Sequence, residues 1–515
     1  MSFPAGSASA FHGSGASPSA SGTAEQGSPV GPYLAVCAVV GLGLVVQTLR
    51  QLWSGDVWQH AATVEAFRAD PLGPNHPLTV GLASDPYLLN LWGLVWGTAA
   101  RMTGLSTFTV LQGAALANAV LIAVALYRLV RTLDARRWSP ALALASMLLL
   151  WGPSTWRWSG YPSLNAIGFG LPYPSYTAFA LFLFGITTAL RLRHTRARAG
   201  PPWGLAIICA GATLCHPSTG AALCASVVVI ALASPIDRWS LTRDTLLAVA
   251  IGGLIVLLWP FGHAWELLGA PEAFDAINRP VNENLLRSAG LALVAAPWVL
   301  WRLGGEYASA VRAVVVLNLT ISAIGFLGGP SVAGRCLPFA LVLIQVAFAI
   351  AIAEYASDRR HRWAAAAALG VVAAIGVYGA RGALPRLVPS QLLPARIADD
   401  ERLIRTSTVA ADVPDVPIDE PVALVVGASG RHLVAAGVRV VVPPYPVAAL
   451  DDGERERRQR DTAAFLSASP ADQQEILDRY DIDIVVVASG TTDVPGEPIA
   501  SGGTIDVYDV RGLRR

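Results

Sequence analysis

Long apolar runs separated by short polar segments set the pattern of residues 33–380. They fall at 33–50, 86–104, 107–130, 139–152, 173–190, 203–217, 219–234, 244–261, 285–301, 312–329, 336–356 and 363–380. A bilayer crossing needs about 20 mostly apolar residues, so these runs predict membrane-spanning helices. From about Arg381 the pattern changes. Pro-rich stretches (ALPRLVPSQLLP, DVPDVPIDEP) lead to short β-branched runs at Val422–Val426, Val438–Val442, Ile482–Val487 and Thr504–Val510, which predict strands. Between them, Ser469-Pro470-Ala471-Asp472 carries a Ser cap, a first-position Pro and a first-turn acid. It predicts a helix through Ile476 and Leu477 to Tyr480.

The chain is therefore divided into a disordered tail (1–31), a transmembrane region (32–380), a linker (381–399) and a soluble α/β domain (400–515). The tail is rich in Ser, Gly and Ala and lacks the basic-then-apolar order of a cleaved signal. Composition agrees with a polytopic membrane protein: 53% of the 515 residues are hydrophobic and 14% charged. A net charge of +1 gives no reason to expect a nucleic-acid partner. All the basic residues are Arg. Cys37, Cys209, Cys215, Cys224 and Cys336 lie in or beside apolar runs without CxxC spacing, which argues against a disulfide framework or a zinc site.

Basic residues concentrate in Arg128–Arg137, Arg191–Arg198, Asp237–Arg243, Arg302–Arg312 and Asp358–Arg362. Short cytoplasmic loops carry the Arg excess. If 86–104 does not cross but lies in the interface, all five basic segments fall inside together. That leaves about eleven spans, a cytoplasmic N-terminus and an extracytoplasmic C-terminal domain.

The feature-rich segments 51–85, 152–172, Cys215–Gly220, 262–284 and 330–337 then share the outer side. The first, from Trp53 to His76, has Asp56, His60 and Thr63 on one face of an expected amphipathic helix and Val57, Ala61 and Val64 on another. Ionisable groups at membrane depth are costly and mark functional sites. Glu65, His76, Tyr161, Asn165, His216, Arg157, Arg279 and Arg335 join this outer set. Gly427–His432 (GASGRH) follows an expected strand but is not a GxGxxG, so nucleotide binding there has little support.

The residues GDVWQH (Gly55–His60), NHP (Asn75–Pro77), LCHPSTG (Leu214–Gly220) and the tail Arg458–Val487, in this order of spans and outer segments, resemble the GT-C superfamily of integral-membrane glycosyltransferases. The resemblance covers most of the chain in architecture, on short motifs. It implies a mainly α, polytopic bundle with a small extracytoplasmic α/β domain. It also implies a polyprenyl-phosphate sugar as donor and a glycan, lipid or protein acceptor in the cell envelope. The chain lacks a DxD-type pair in its second outer segment and a WWDYG-like motif in its tail, unlike the oligosaccharyltransferase branch.

Asp56 matches the position of the family's catalytic acid and is the expected general base. Arg335, His216, Arg279 and His60 are the expected donor-phosphate contacts, and Glu65, His76, Tyr161 and Asn165 the expected acceptor or pocket residues. No cofactor or metal is expected beyond the lipid-linked donor, although a divalent ion is compatible with the chemistry. Two rival readings are a transporter or flippase, which would show paired half-repeats, and a non-catalytic scaffold, whose polar groups would not converge.

Overall fold

The computed structural model describes residue 28 and residues 30–514. Excepted are 54, 83–84, 86, 154–157, 194–201, 236, 263–274, 276–277, 384–387, 389–391, 393–417, 419, 446, 448–449 and 503. The expected tail and linker, and Arg157, lie largely or wholly outside the described residues.

Fourteen of the described α-helices precede the sheet. They are α1 (Val30–Leu49), α2 (Val57–Ala69), α3 (Leu91–Thr103), α4 (Thr107–Leu133), α5 (Ser139–Leu149), α6 (Leu164–Gly170), α7 (Pro174–Leu192), α8 (Trp203–Cys215), α9 (Pro217–Leu232), α10 (Arg238–Leu257), α11 (Leu285–Arg302), α12 (Ala308–Phe326), α13 (Leu337–Ser357) and α14 (Arg362–Gly379). Seven helical segments among the described residues are long and apolar enough to cross a membrane. They contain α1, α4, α7, α10, α12, α13 and α14. The apolar helices α5, α8 and α9 are shorter. The chain is a multi-span membrane protein. Its axis is α13, buried along Leu337–Ala353. Helices α5, α11, α12 and α14 pack around it.

Helix α3 holds the run expected not to cross. At 1.5 Å per residue its 13 residues reach about 20 Å, short of a hydrocarbon core of about 30 Å. It is capped by Asn90 and stopped by Gly104 in the left-handed region. Its Gly93 and Gly97 lie against α2: a Cβ on Gly93 would come within 2.3 Å of Thr63 Cγ2, and one on Gly97 within 2.4 Å of Phe67 Cβ. This small-xxx-small spacing lets two backbones approach.

The soluble domain has five strands, β1 (Val422–Val426), β2 (Arg439–Val440), β3 (Ile484–Ala488), β4 (Glu497–Gly502) and β5 (Ile505–Asp509), in the order β2-β1-β3-β5-β4. β1 pairs in parallel with β2 and β3, and β5 runs antiparallel to β3 and β4. Its helices are α15 (Arg431–Ala435), α16 (Asp452–Ala464) and α17 (Pro470–Tyr480). The Ser469 hydroxyl caps α17 through the Asp472 N–H, where the sequence predicts it. β4 and α16 were not foreseen. Glu497–Gly502 lacks an apolar alternation, and α16 is almost wholly polar.

The sheet domain docks on the segment 76–80. Thr79 pairs with Val440 as an isolated parallel bridge and donates its hydroxyl to the Val440 carbonyl at 2.7 Å. Arg458, only 5% exposed, donates to the Thr79 hydroxyl (2.9 Å), the Val80 carbonyl (3.0 Å) and the Val441 carbonyl (3.1 Å). The docking corrects one expectation. Helix α2 is not half-solvated and amphipathic: Val57–Val64 are all buried, because α3 covers it on one side and α15 packs on it from the soluble domain.

Candidate active site around Asp56

Asp56 is the residue before α2, yet its side chain makes no capping hydrogen bond. The Gln59 N–H bonds to the Asp56 backbone carbonyl (2.9 Å), and the Tyr173 hydroxyl oxygen accepts from the backbone at Val57 and Asp56. The first N–H groups of a helix have no partner inside it. Tyr173 supplies one at Val57, and the Asp56 carboxylate makes no cap hydrogen bond. Gly55 permits this approach: its φ is +78°, and a Cβ there would stand 3.5 Å from the Tyr173 hydroxyl. Tyr173 is fixed in turn by Asn118 of α4, which donates to the carbonyls of Leu171 (2.7 Å) and Tyr173 (3.1 Å).

Arg335 approaches from the 3-10 turn Ser331–Cys336, just before α13. Its guanidinium donates to Asn278 Oδ1 (2.9 Å) and the Ser159 carbonyl (3.2 Å) and lies over Trp158 at 5.3 Å from the ring centroid. The turn is braced by Tyr161, which donates to the Gly334 carbonyl (3.1 Å), and by Asp275, which accepts from the Ser331 N–H and hydroxyl. Tyr161 therefore serves Arg335 from beneath.

Electrostatics tie these groups together. Burial raises the Asp56 carboxyl above its ordinary value of 3.8, and the positive charges of Arg335 and Arg431 oppose that rise. Asp56 retains partial solvent access. Burial and the two arginines therefore pull its titration in opposite directions, with burial the larger.

His216 is the hinge between α8 and α9. Its Nδ1 meets the Thr219 hydroxyl at 2.8 Å and that of Ser218 at 3.2 Å. In the tautomer whose Nδ1 accepts from Thr219, Nε2 carries the proton. Burial, and then the Arg335 charge, push His216 down to about 3. His60, on α2, is likewise pushed down to about 3 by burial and by His216. Its ring packs against Tyr173 (4.5 Å) and Trp92 (5.7 Å). At neutral pH both imidazoles are uncharged. They offer a phosphate or sugar a single N–H, not a positive charge.

The remaining candidates divide. His76 is buried in the same loop: its Nδ1 accepts from the Leu78 and Thr79 N–H groups, and its Nε2 faces Asp85. Glu65 lies two helical turns beyond Asp56. It pairs with Arg68 (3.3 Å) and accepts from the Thr107 hydroxyl, so it does not join the Asp56 group. Asn165 lines a small cavity with Leu148, Trp151 and Gly376, away from Asp56. Arg279 is exposed at the start of the 3-10 turn Arg279–Asn282, and no described interaction links it to Asp56. Its neighbour Asn278 holds Arg335 instead.

Sequence reasoning passed over Tyr87, Tyr445 and Arg431. The Tyr87 hydroxyl is raised by burial, with Asp56 and Asp85 adding to the rise. Tyr445 is raised by burial and by Tyr87, Asp56 and Asp85. Tyr445 and Arg431 come from the soluble domain, where only the Gly427–His432 turn offered a signal. Among the described residues no three His, Cys, Asp or Glu side chains gather as metal ligands.

No family model matches the chain, and no curated protein matches it in sequence. Solved structures do match. Arabinofuranosyltransferase AftD from Mycobacteria aligns over 93% of this chain with a TM-score of 0.54 at 18% identity. ArnT from Cupriavidus metallidurans, bound to undecaprenyl phosphate, aligns over 94% of this chain and 98% of its own, with a TM-score of 0.51 at 13% identity. The chain has the GT-C fold. It spans 40% of AftD's length, and with ArnT it shares the GT-C fold end to end. The GT-C arrangement expected from the sequence, a helix bundle followed by a small sheet domain, is the one observed.

Proposed function

We propose that this chain is a membrane glycosyltransferase that moves a sugar from a polyprenyl-phosphate donor to an extracytoplasmic cell-envelope acceptor. The observation that carries this reading is the freed carboxylate of Asp56 beside Arg335, in a fold shared with a structure holding a polyprenyl phosphate. Asp56 is the general base. The acceptor hydroxyl passes its proton to Asp56 as its oxygen bonds to the anomeric carbon. The anomeric carbon–oxygen bond to phosphate breaks, and its electron pair leaves with the phosphate. Arg335 meets the charge that grows there, in a recess where such interactions are strong. His216 and His60 add neutral hydrogen-bond donors.

The charges favour a single phosphate over a diphosphate. Arg335 is the arginine expected at the phosphate, its charge acts on Asp56, and both histidines are neutral. The site groups and the soluble domain share one end of the bundle, which supports an extracytoplasmic domain and a cytoplasmic N-terminus. The same one-sidedness speaks against a transporter, which would carry polar groups at mid-membrane.

The test is sugar transfer in proteoliposomes with a panel of labelled polyprenyl-phosphate sugars. Asp56→Asn keeps the shape of the side chain but removes the base. Transfer should fall about 100-fold or more. Transfer surviving in Asp56→Asn would remove Asp56 from its role.

A further inference from the structure

Helix α15 begins at Arg431, directly after the Gly427–Gly430 turn that ends β1, and packs on α2. The Arg431 guanidinium lies 5.7 Å from the ring centroid of Trp58, two positions past Asp56 on α2. Trp58 in turn meets Tyr445 edge-on at 6.3 Å. Two side chains of the soluble domain thus clasp the first turn of the helix that carries the base.

Arg431 differs from the arginines around it. Arg439, Arg455 and Arg458 donate to carbonyls or carboxylates within the domain. Arg335 is held by Asn278 and Ser159. Arg431 is exposed, and no hydrogen-bond acceptor meets it among the described residues. The contact with Trp58 holds the guanidinium without consuming its N–H groups, so five donors stay available at the start of α2.

The two arginines face different halves of a transfer reaction. A polyprenyl phosphate keeps its phosphate at the ends of the spans, where Arg335 sits. Arg431 belongs to the domain that lies furthest along the chain from the spans and is open to water. Its free donors suit the hydroxyl or acid groups of a glycan.

We infer that Arg431 is an acceptor-binding residue, which donates to the glycan whose hydroxyl Asp56 activates. The assignment rests on the glycosyl-transfer reading above and adds the soluble domain to the site.

The experiment uses the full chain in nanodiscs and fluorescence anisotropy with three labelled hexasaccharides: an α-glucan, a mannan and a polygalacturonate. At least one should bind the wild type. Arg431→Ala should weaken that binding at least about tenfold, a change expected from losing charged hydrogen bonds. Arg431→Lys, which keeps the charge but not the fork, should fall between. A polygalacturonate preference would mean recognition of an acid group; equal binding of the neutral probes would mean recognition of hydroxyls. In transfer assays, Arg431→Ala should raise the acceptor KM and leave the donor KM unchanged.

Equal Kd values for wild type and Arg431→Ala, binding of no probe to the wild type, or a rise in donor KM alone would each overturn the assignment. The broader reading fails separately: wild type without transfer, or transfer retained in Asp56→Asn, would strike the enzyme proposal whatever the Kd values show.

Discussion

His76 and Asp85 form a buried pair in the segment between α2 and α3, with Nε2 and Oδ2 3.5 Å apart and side chains 0% and 3% exposed. The two N–H groups held by His76 Nδ1 leave the ring proton on Nε2, facing the carboxylate. Asp85 also accepts the N–H groups of Tyr87 and Leu88. His76→Ala would strand a buried carboxylate and two buried donors. The expected loss is about 3 kcal/mol, read as a lowered Tm in detergent and faster proteolytic release of the soluble domain. An unchanged Tm would count against the pair.

Helix contact sets the position of the base. Gly97→Ala brings a Cβ within 2.4 Å of Phe67 Cβ and 2.8 Å of the Val64 carbonyl, both on α2. Displacing α2 by a fraction of an ångström moves Asp56, and transfer should fall about tenfold or more. Gly113→Ala meets only Trp96, at 3.6 Å, and should behave as wild type. If the two variants have equal activity, the close packing is not what positions the base.

The rate of transfer should have an acid limb set by Asp56. Burial places its carboxyl above 3.8, and only the ionised form is a base. Activity therefore falls as pH drops through the raised value, above the ordinary carboxylate range. Arg335→Gln removes a charge that opposes the rise, so the limb should move to higher pH. A pH profile of kcat/KM measures this; a limb moving to lower pH would contradict it.

Stability should fall on acidification for a separate reason. His60 is held near 3 in the fold against 6.5 when free. Between those values the unfolded chain binds more protons. The stabilisation is therefore whole above pH 6.5 and is lost as pH falls towards 3. At pH 5 this amounts to about 2 kcal/mol for His60. His216 adds to it, less strongly because it keeps some solvent access. Tm recorded from pH 7.5 to 5 should drop in the wild type and drop less in His60→Phe. Parallel curves would contradict the assignment.

The helices were legible because apolar runs near span length announce themselves. The α17 cap was legible because Ser469 and Asp472 act locally. Asp56, His216 and Arg335 could be found because each is polar at the edge of an apolar run. Glu65, Asn165 and Arg279 share that signature but lie elsewhere, Glu65 paired with Arg68, Asn165 in another cavity and Arg279 exposed, and no residue-by-residue rule separates the two groups. Tyr173 as the cap of α2, and Arg431 and Tyr445 as neighbours of Asp56, depend on contacts between segments far apart in sequence. Such contacts leave no periodic trace.

Thr79 and Arg458 meet across 379 positions of sequence, and this separation orders the protein's assembly in time. Asp56 and Thr79 are synthesised before the strand and helix that hold Thr79 in place. During that interval helix α2 lacks the cover that α15 lays on it. A chain stopped before α16 would keep Asp56, His216, Arg335 and Arg431 but lose the Arg458 contacts that tie Thr79 and Val80 to Val441.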